Sequence, residues 1–148
     1  MIVREAIAED FARIMELYAQ LHPEDPVIQD GSDRRIYADI LANPNLHVFV
    51  LQAADGALNA TCYLNFIPNL TRKGSPYCVI ENVVTEASLR NQGLGKKLLL
   101  QVLQFAWNKG CYKVMLQTGS RQASTHNFYK SCGFSADDKF AFVARPPE

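Results

Sequence analysis

The sequence predicts a mixed α/β fold of the α+β type, an antiparallel meander followed by a β-α-β passage, with helices on both faces of one sheet. Three observations carry this. Apolar residues switch between helical spacing and alternation along 148 residues. Three strand-like runs follow one another between residues 46 and 85, separated only by short polar turns. A long leucine-rich helical pattern then opens directly after the third run, at Arg90-Asn91-Gln92-Gly93-Leu94-Gly95-Lys96. The expected order is β-α-α-β-β-β-α-β-α-β, in one domain over residues 1–148.

Residues 2–6 alternate well enough for a first strand. Phe11, Ile14, Met15, Tyr18 and Leu21 then form one stripe of an amphipathic helix, which Pro23 ends. Residues 23–33 are rich in proline and acidic side chains and read as a loop. A shorter helix is expected over 33–41, closed by Asn43-Pro44. Residues 46–53 and 58–67 pair as strands about the Ala54-Asp55-Gly56 turn. A polar loop over 68–75 carries Arg72 and Lys73, and a strand over 76–85 carries Glu81.

The next helix runs over 93–108. Leu94, Leu98, Val102, Phe105 and Ala106 form its core stripe, widened by Leu99 and Leu103, and Gly110 is its left-handed stop. Residues 111–117 read as a buried strand with Val114 and Leu116 on one face. A last helix covers 122–132 with Gly133 behind it, and residues 134–143 return as a final strand or hairpin.

Composition excludes several functions. Lys plus Arg is 15 and Asp plus Glu is 15, so the formal net charge is zero. A general nucleic-acid or membrane-surface role would need a basic excess. Cys62, Cys78, Cys111 and Cys132 make no C-x-x-C pair and read as reduced, mostly buried thiols of a cytoplasmic protein. His22, His47 and His126 are scattered and form no metal-ligand pattern, so no metal is expected. No apolar run approaches the roughly 18 residues of a membrane span, and the N-terminus starts a strand instead of a signal peptide.

The junction at Gly93 is the most informative segment. A strand, a glycine turn and a helix N-terminus together make an anion site, because free N–H groups and the helix dipole favour negative charge there. Arg90 and Lys96 add full charges. A P-loop needs four residues between its first glycine and Gly-Lys-Ser/Thr, which this loop lacks. A dinucleotide fingerprint needs a third glycine where Leu98 stands. What remains is Arg-x-x-Gly-x-Gly. Downstream lies Asn127-Phe128-Tyr129-Lys130-Ser131-Cys132-Gly133-Phe134. These two motifs, in this order, resemble the pyrophosphate loop and the closing Phe-Tyr-x-x-x-Gly-Phe signature of the GNAT acetyltransferase superfamily. The resemblance covers essentially the whole chain.

That resemblance implies the GNAT fold and transfer of an acetyl group from acetyl-coenzyme A to a primary amine in a ternary complex, without a metal. The amine must lose a proton, the oxyanion needs donors, and the departing thiolate needs a proton. The family meets these needs with a carboxylate or water on the central strand, an N–H at a bulge in that strand, and a tyrosine. Ile80-Glu81-Asn82-Val83-Val84 is similar to the Ile-Glu-Asp-aliphatic run of the glucosamine-phosphate members, with Asn82 in place of the aspartate. The similarity extends through Cys111-Tyr112-Lys113-Val114.

Glu81 is therefore the candidate base, in apolar surroundings that would favour its neutral form. Otherwise it faces solvent or makes a structural hydrogen bond, and an ordered water is the base. Tyr129 is the candidate acid, or else a core tyrosine. It sits about 100° around the helix from Phe128, which is expected to face the core together with Cys132. The resemblance further implies that Val83, Val84 and Thr85 offer backbone groups to the pantetheine arm. Arg90, Asn91, Gln92, Gly93, Leu94, Gly95 and Lys96 hold the pyrophosphate, and Asn127 and Tyr129 reach the coenzyme.

The acceptor is expected to be a small-molecule amine. Glu24, Asp25 and Asp30 would suit a cationic compound, and Arg72 and Lys73 a phosphorylated or carboxylated one. An acyl-coenzyme A sensor without turnover and a protein or peptide N-acetyltransferase are the alternatives. Members are often dimers, so a homodimer is implied as one assembly, with Phe140 and Phe142 at its interface or in the core.

Overall fold

A computed structural model describes residues 1–148, which divide into two compact units, Met1–Leu116 and Gln117–Glu148. The first unit holds a five-stranded sheet in the order β1-β2-β3-β4-β5. Its strands are β1 (Ile2–Glu5), β2 (Leu46–Gln52), β3 (Leu58–Ile67), β4 (Tyr77–Thr85) and β5 (Val114–Leu116). β1 through β4 pair antiparallel, and β5 joins β4 in parallel. The meander and the β-α-β passage thus form as the alternation of apolar residues predicts.

Helices cover both faces. A 3₁₀ turn (Ala8–Asp10) leads into α1 (Phe11–Leu21), and α2 is Ser32–Ala42. Phe11, Ile14 and Tyr37 from this side cluster with Val48, Val50 and Leu58 of the sheet. Neighbouring strand residues point to opposite faces. Phe49 accordingly meets Phe105 on the other face, with ring centroids 5.1 Å apart. Phe105 belongs to α3 (Leu94–Asn108), which buries Leu98, Leu99, Val102, Leu103 and Ala106. Leu17 lies outside the expected stripe of α1 and is completely buried.

Asp10 ties the start of α1 to β1. Arg4 grips its carboxylate with two hydrogen bonds, at 2.7 and 3.0 Å, and the Ile7 N–H donates to it at 2.9 Å. The Arg4 hydrogen bond is the main reason that the Asp10 pKa is held below the ordinary carboxylate range.

Two expectations fail in the strands. β5 is only Val114–Leu116, and its three residues are half-buried instead of buried. No final strand forms over 134–143. That segment carries no regular structure, and Phe140 and Phe142 stand 89% and 94% exposed. An alternating run becomes a strand only when another edge takes its backbone hydrogen bonds. The observed order is therefore β-α-α-β-β-β-α-β-α. The last helix, α4 (Ala123–Ser131), belongs to the second unit.

Candidate active site

β4 is not a regular strand. Tyr63 opposes Glu81 and Thr61 opposes Val84, so Cys62 alone faces both Asn82 and Val83. This is a β-bulge, with one extra residue on β4. Asn82 takes a left-handed backbone, φ 54°, in mid-strand. Burial on α1 pushes the nearby Tyr18 hydroxyl pKa up to about 12, and Asn82 acts in the other direction. Because Cα partners share a face, Glu81 lies on the face of Tyr63, the one covered elsewhere by α1 and α2.

The Glu81 side chain is exposed. The apolar surroundings expected for it are absent. Tyr77, Val79, Tyr63 and Asn65 on the same face are likewise only half-buried.

The bulge also marks where β4 loses a neighbour. β5 pairs only with Cys78, Val79 and Ile80. From Glu81 to Thr85 the strand keeps β3 on one side and has no strand on the other. Val84 is buried, and Val83 and Thr85 are half-buried. The Thr85 carbonyl accepts a hydrogen bond from Arg90 Nε at 3.2 Å, which folds the Arg90 side chain back onto the strand end.

Past a 3₁₀ turn (Ala87–Leu89), Asn91 and Gly93 both adopt positive φ, 62° and 78°. Gly93 is the N-cap of α3 and supplies no side-chain cap. The first helical hydrogen bond runs from the Lys97 N–H to the Gly93 carbonyl at 3.0 Å. The N–H groups of Leu94, Gly95 and Lys96 therefore have no acceptor within the helix. A Cβ at Gly93 would meet nothing within 4 Å, so the turn itself is open at this residue. Asn91, Gln92 and Lys96 are exposed beside them, as is Lys97, a second lysine that the motif does not single out. Leu94 is half-buried and Gly95 buried, the anchors of the turn.

α1 grips the strand just before this turn. Glu86 accepts hydrogen bonds from Arg13 at 2.5 Å and Gln20 at 2.9 Å, and Gln20 accepts one from the Ala87 N–H at 2.8 Å. The bonds from Gln20, then Arg13, hold the Glu86 pKa down to about 2. No sequence pattern announces Arg13 or Gln20 as partners of this strand end. Each is an ordinary residue of an amphipathic helix until the fold sets it there.

A cationic cluster stands at the other end of β4. Tyr77 and Tyr112 meet edge to face at 6.1 Å, and Lys113 Nζ lies 5.0 Å and 5.3 Å from their ring centres. Arg72 sits 5.8 Å from the Tyr112 ring. Arg72 and Lys73 both have left-handed backbones, φ 53° and 59°, unusual for residues with side chains. Tyr77 shares the face of Glu81, about 13 Å away along the strand.

Asn127 and Tyr129 lie on α4. Asn127 is exposed. The Tyr129 ring packs on Phe128 at 5.0 Å and meets Phe134 edge-on at 6.2 Å. Phe128 and Tyr129 are both half-buried and touch each other, so they do not divide cleanly between core and surface; Cys132 is buried as expected. The four cysteines are free, no cluster of side chains suits a metal, and no helix is long and apolar enough to cross a membrane.

A model of the acetyltransferase (GNAT) family matches residues 11–134. Glucosamine 6-phosphate N-acetyltransferase of Arabidopsis thaliana is 30% identical over 125 residues, 82% of this chain and 80% of that protein. The protein of the same name from Trypanosoma brucei brucei is 34% identical over 84 residues, 57% of this chain and only 55% of that protein's length. Among solved structures, a candidate acetyltransferase from Agrobacterium tumefaciens superposes with a TM-score of 0.92 at 38% identity, covering 99% of this chain and 100% of that one.

Proposed function

The chain belongs to the GNAT acetyltransferase family, and from that premise we propose that it transfers the acetyl group of acetyl-coenzyme A to the primary amine of a small anionic acceptor. An amino sugar phosphate or an aminoalkyl compound of similar size fits. One observation carries the reading: a strand edge left open beyond Ile80 runs into a helix N-terminus with three uncapped N–H groups. The open edge can take an extended amide-bearing arm by backbone pairing. The uncapped N–H groups, with Arg90 and Lys96, suit a pyrophosphate. These residues fit coenzyme A.

When bound, acetyl-coenzyme A supplies an acetyl thioester. The chain's own residues supply the rest. The backbone of Val83, Val84 and Thr85 holds the arm, and Asn91, Gln92, Gly93, Leu94 and Gly95 shape the anion turn. Glu81 takes a proton from the acceptor ammonium at its carboxylate. The bulge offers N–H donors beside it. Tyr129 carries the proton to be given up at its hydroxyl, and Asn127 helps to hold the arm.

The acceptor assignment rests on the sheet face that Glu81 shares with Tyr77. A carboxylate at one end suits an ammonium, and Lys113 with Arg72 at the other suits a phosphate or carboxylate. Two relatives are named for glucosamine 6-phosphate, a compound of this kind.

Thiol release with paired amines, each with and without a phosphate, tests both parts. Turnover is expected, with the phosphorylated member of each pair preferred. Lys113→Ala should raise KM for that member about 10- to 100-fold, the worth of a charge-assisted hydrogen bond, and leave its partner unchanged. Coenzyme binding without turnover of any amine would make the protein a sensor. Coenzyme A at 100 times a micromolar Kd should stabilise the fold by about 2.7 kcal/mol, and no stabilisation would overturn the coenzyme reading itself.

A further inference from the structure

Two buried thiols meet where β4 begins. Cys78 Sγ and Cys111 Sγ lie 3.4 Å apart, although the residues are 33 positions apart in the chain. Both are free cysteines. The backbone around them is tied down. The Tyr112 N–H donates to the Pro76 carbonyl at 3.0 Å, and the Cys78 N–H donates to the Lys113 carbonyl at 3.2 Å. The Cys111 N–H donates to the Ala106 carbonyl of α3 at 3.1 Å. A disulfide bond is about 2.05 Å long, so the sulfurs need to approach by roughly 1.3 Å, shared between two side chains.

The two thiols are not equivalent. Cys78 is 0% exposed and Cys111 is 8% exposed, so a small solute reaches Cys111 first. Burial, with the Cys111 contact adding to it, pushes the Cys78 pKa up to about 12. At pH 7 only about one Cys78 thiol in 10⁵ is then ionised. Contact offsets this, since well-oriented neighbouring groups react as if at about 10⁵ M or more. Cys78 is therefore a poor nucleophile toward a solute and an effective one toward a sulfur already beside it.

We propose that Cys78 and Cys111 form an oxidisable pair, which hydrogen peroxide closes to a disulfide that ties β4 to the far end of α3. The Cys111 sulfur attacks the O–O bond and becomes a sulfenic acid, and the other oxygen leaves as water. The Cys78 sulfur then attacks the Cys111 sulfur. The S–S bond forms, the S–O bond breaks, and the hydroxyl leaves as a second water with the Cys78 proton. The two thiols together lose two hydrogens and two electrons, and one peroxide becomes two waters. The ring so closed contains the rest of β4, the anion turn and all of α3. This chemistry is independent of acetyl transfer.

Hydrogen peroxide added to the folded chain tests it. The wild type should lose two thiols, and peptide mapping should find Cys78 joined to Cys111. The unfolding constant in urea should then be about 10²-fold smaller, the worth of a disulfide closing a ring of this length. A dithiol reductant should restore the original curve. Cys78→Ala should leave Cys111 as a sulfenic acid that dimedone labels. Cys111→Ala should leave Cys78 unlabelled and the urea curve unmoved by peroxide.

No disulfide, a disulfide between any other pair, or one that forms only after urea has unfolded the chain would overturn the proposal. An unmoved midpoint in the oxidised wild type would overturn the tie between β4 and α3. Dimedone on Cys78 in Cys111→Ala would overturn Cys111 as the point of entry. If either variant does not fold, peptide mapping of the wild type decides alone.

Discussion

Glu81 stands at the last regular position of β4, and its chemistry follows from that place. It is exposed, opposite Tyr63, and next to a residue with the wrong backbone for a strand. In the proposed reaction Glu81 serves as the base by position: it must lie where the acceptor ammonium stops. Glu81→Gln should therefore lower kcat by about 10²-fold, the lower end for a general base, with coenzyme affinity intact. Thiol-release kinetics beside a coenzyme titration checks this, and an unchanged kcat would hand the role to water. On the role proposed for Tyr129, Tyr129→Phe should also lower kcat without weakening coenzyme binding, since it would remove a hydroxyl that acts only as the reaction proceeds. A matching rise in coenzyme Kd would show that the hydroxyl binds instead of reacting. At this scale the sequence nominated residues for the chemistry, but not their surroundings. The apolar letters around Glu81 suggest burial, yet whether a strand face is covered depends on where a distant helix lies. Asn82 reads as a replacement for aspartate, and only the fold gives it a left-handed backbone at a bulge.

Elements were more legible than residues where a local pattern and a local stop agree. α3 begins at a glycine and ends before one, with a leucine stripe between, and it forms as read. Gly93→Ala tests the start. A side chain at φ 78° costs about 1 kcal/mol, and open space around the site leaves no clash to add to it. Stability to urea should fall by about that amount, and coenzyme affinity should fall further if the turn cradles the pyrophosphate. α1 shows the limit of periodicity. Its stripe of Phe11, Ile14, Met15, Tyr18 and Leu21 leaves Leu17 at the margin, yet Leu17 is 0% exposed because the helix sinks deeply against the sheet. Leu17→Ala should cost about 2–5 kcal/mol, measured by urea unfolding, and a cost below 1 kcal/mol would mean that the site collapses around the gap. The expected last strand fails for the opposite reason. Phe140, Ala141 and Phe142 carry the right alternation, but period two describes how side chains point and says nothing about which edge receives the backbone. Such non-local pairing is what a single sequence conceals.

Over the whole molecule positive and negative charges balance, so the effect of pH on stability lies in particular carboxylates more than in net charge. Glu86 is the clearest. The Gln20 and Arg13 hydrogen bonds bring its folded pKa to about 2 from an ordinary 4.5. A group whose pKa is lower when folded contributes in full above the unfolded value and loses that contribution as pH falls toward the folded one. The window therefore runs from about pH 4.5 down to about pH 2. Asp10 has the same sign through Arg4, so the wild type should lose stability steadily on acidification through this range. Glu86→Gln keeps the shape and removes the charge. It should be less stable than wild type at pH 7, and the gap should narrow below pH 4.5 and close near pH 2, where Glu86 itself is protonated. Urea unfolding at a series of pH values gives the two curves. Parallel curves would mean that the carboxylate charge contributes nothing and that Arg13 and Gln20 hold the strand end by hydrogen bonding alone. Converging curves would mean that the grip of α1 on the entry to the anion turn is electrostatic, and that acid loosens this end of β4 as it unfolds the domain.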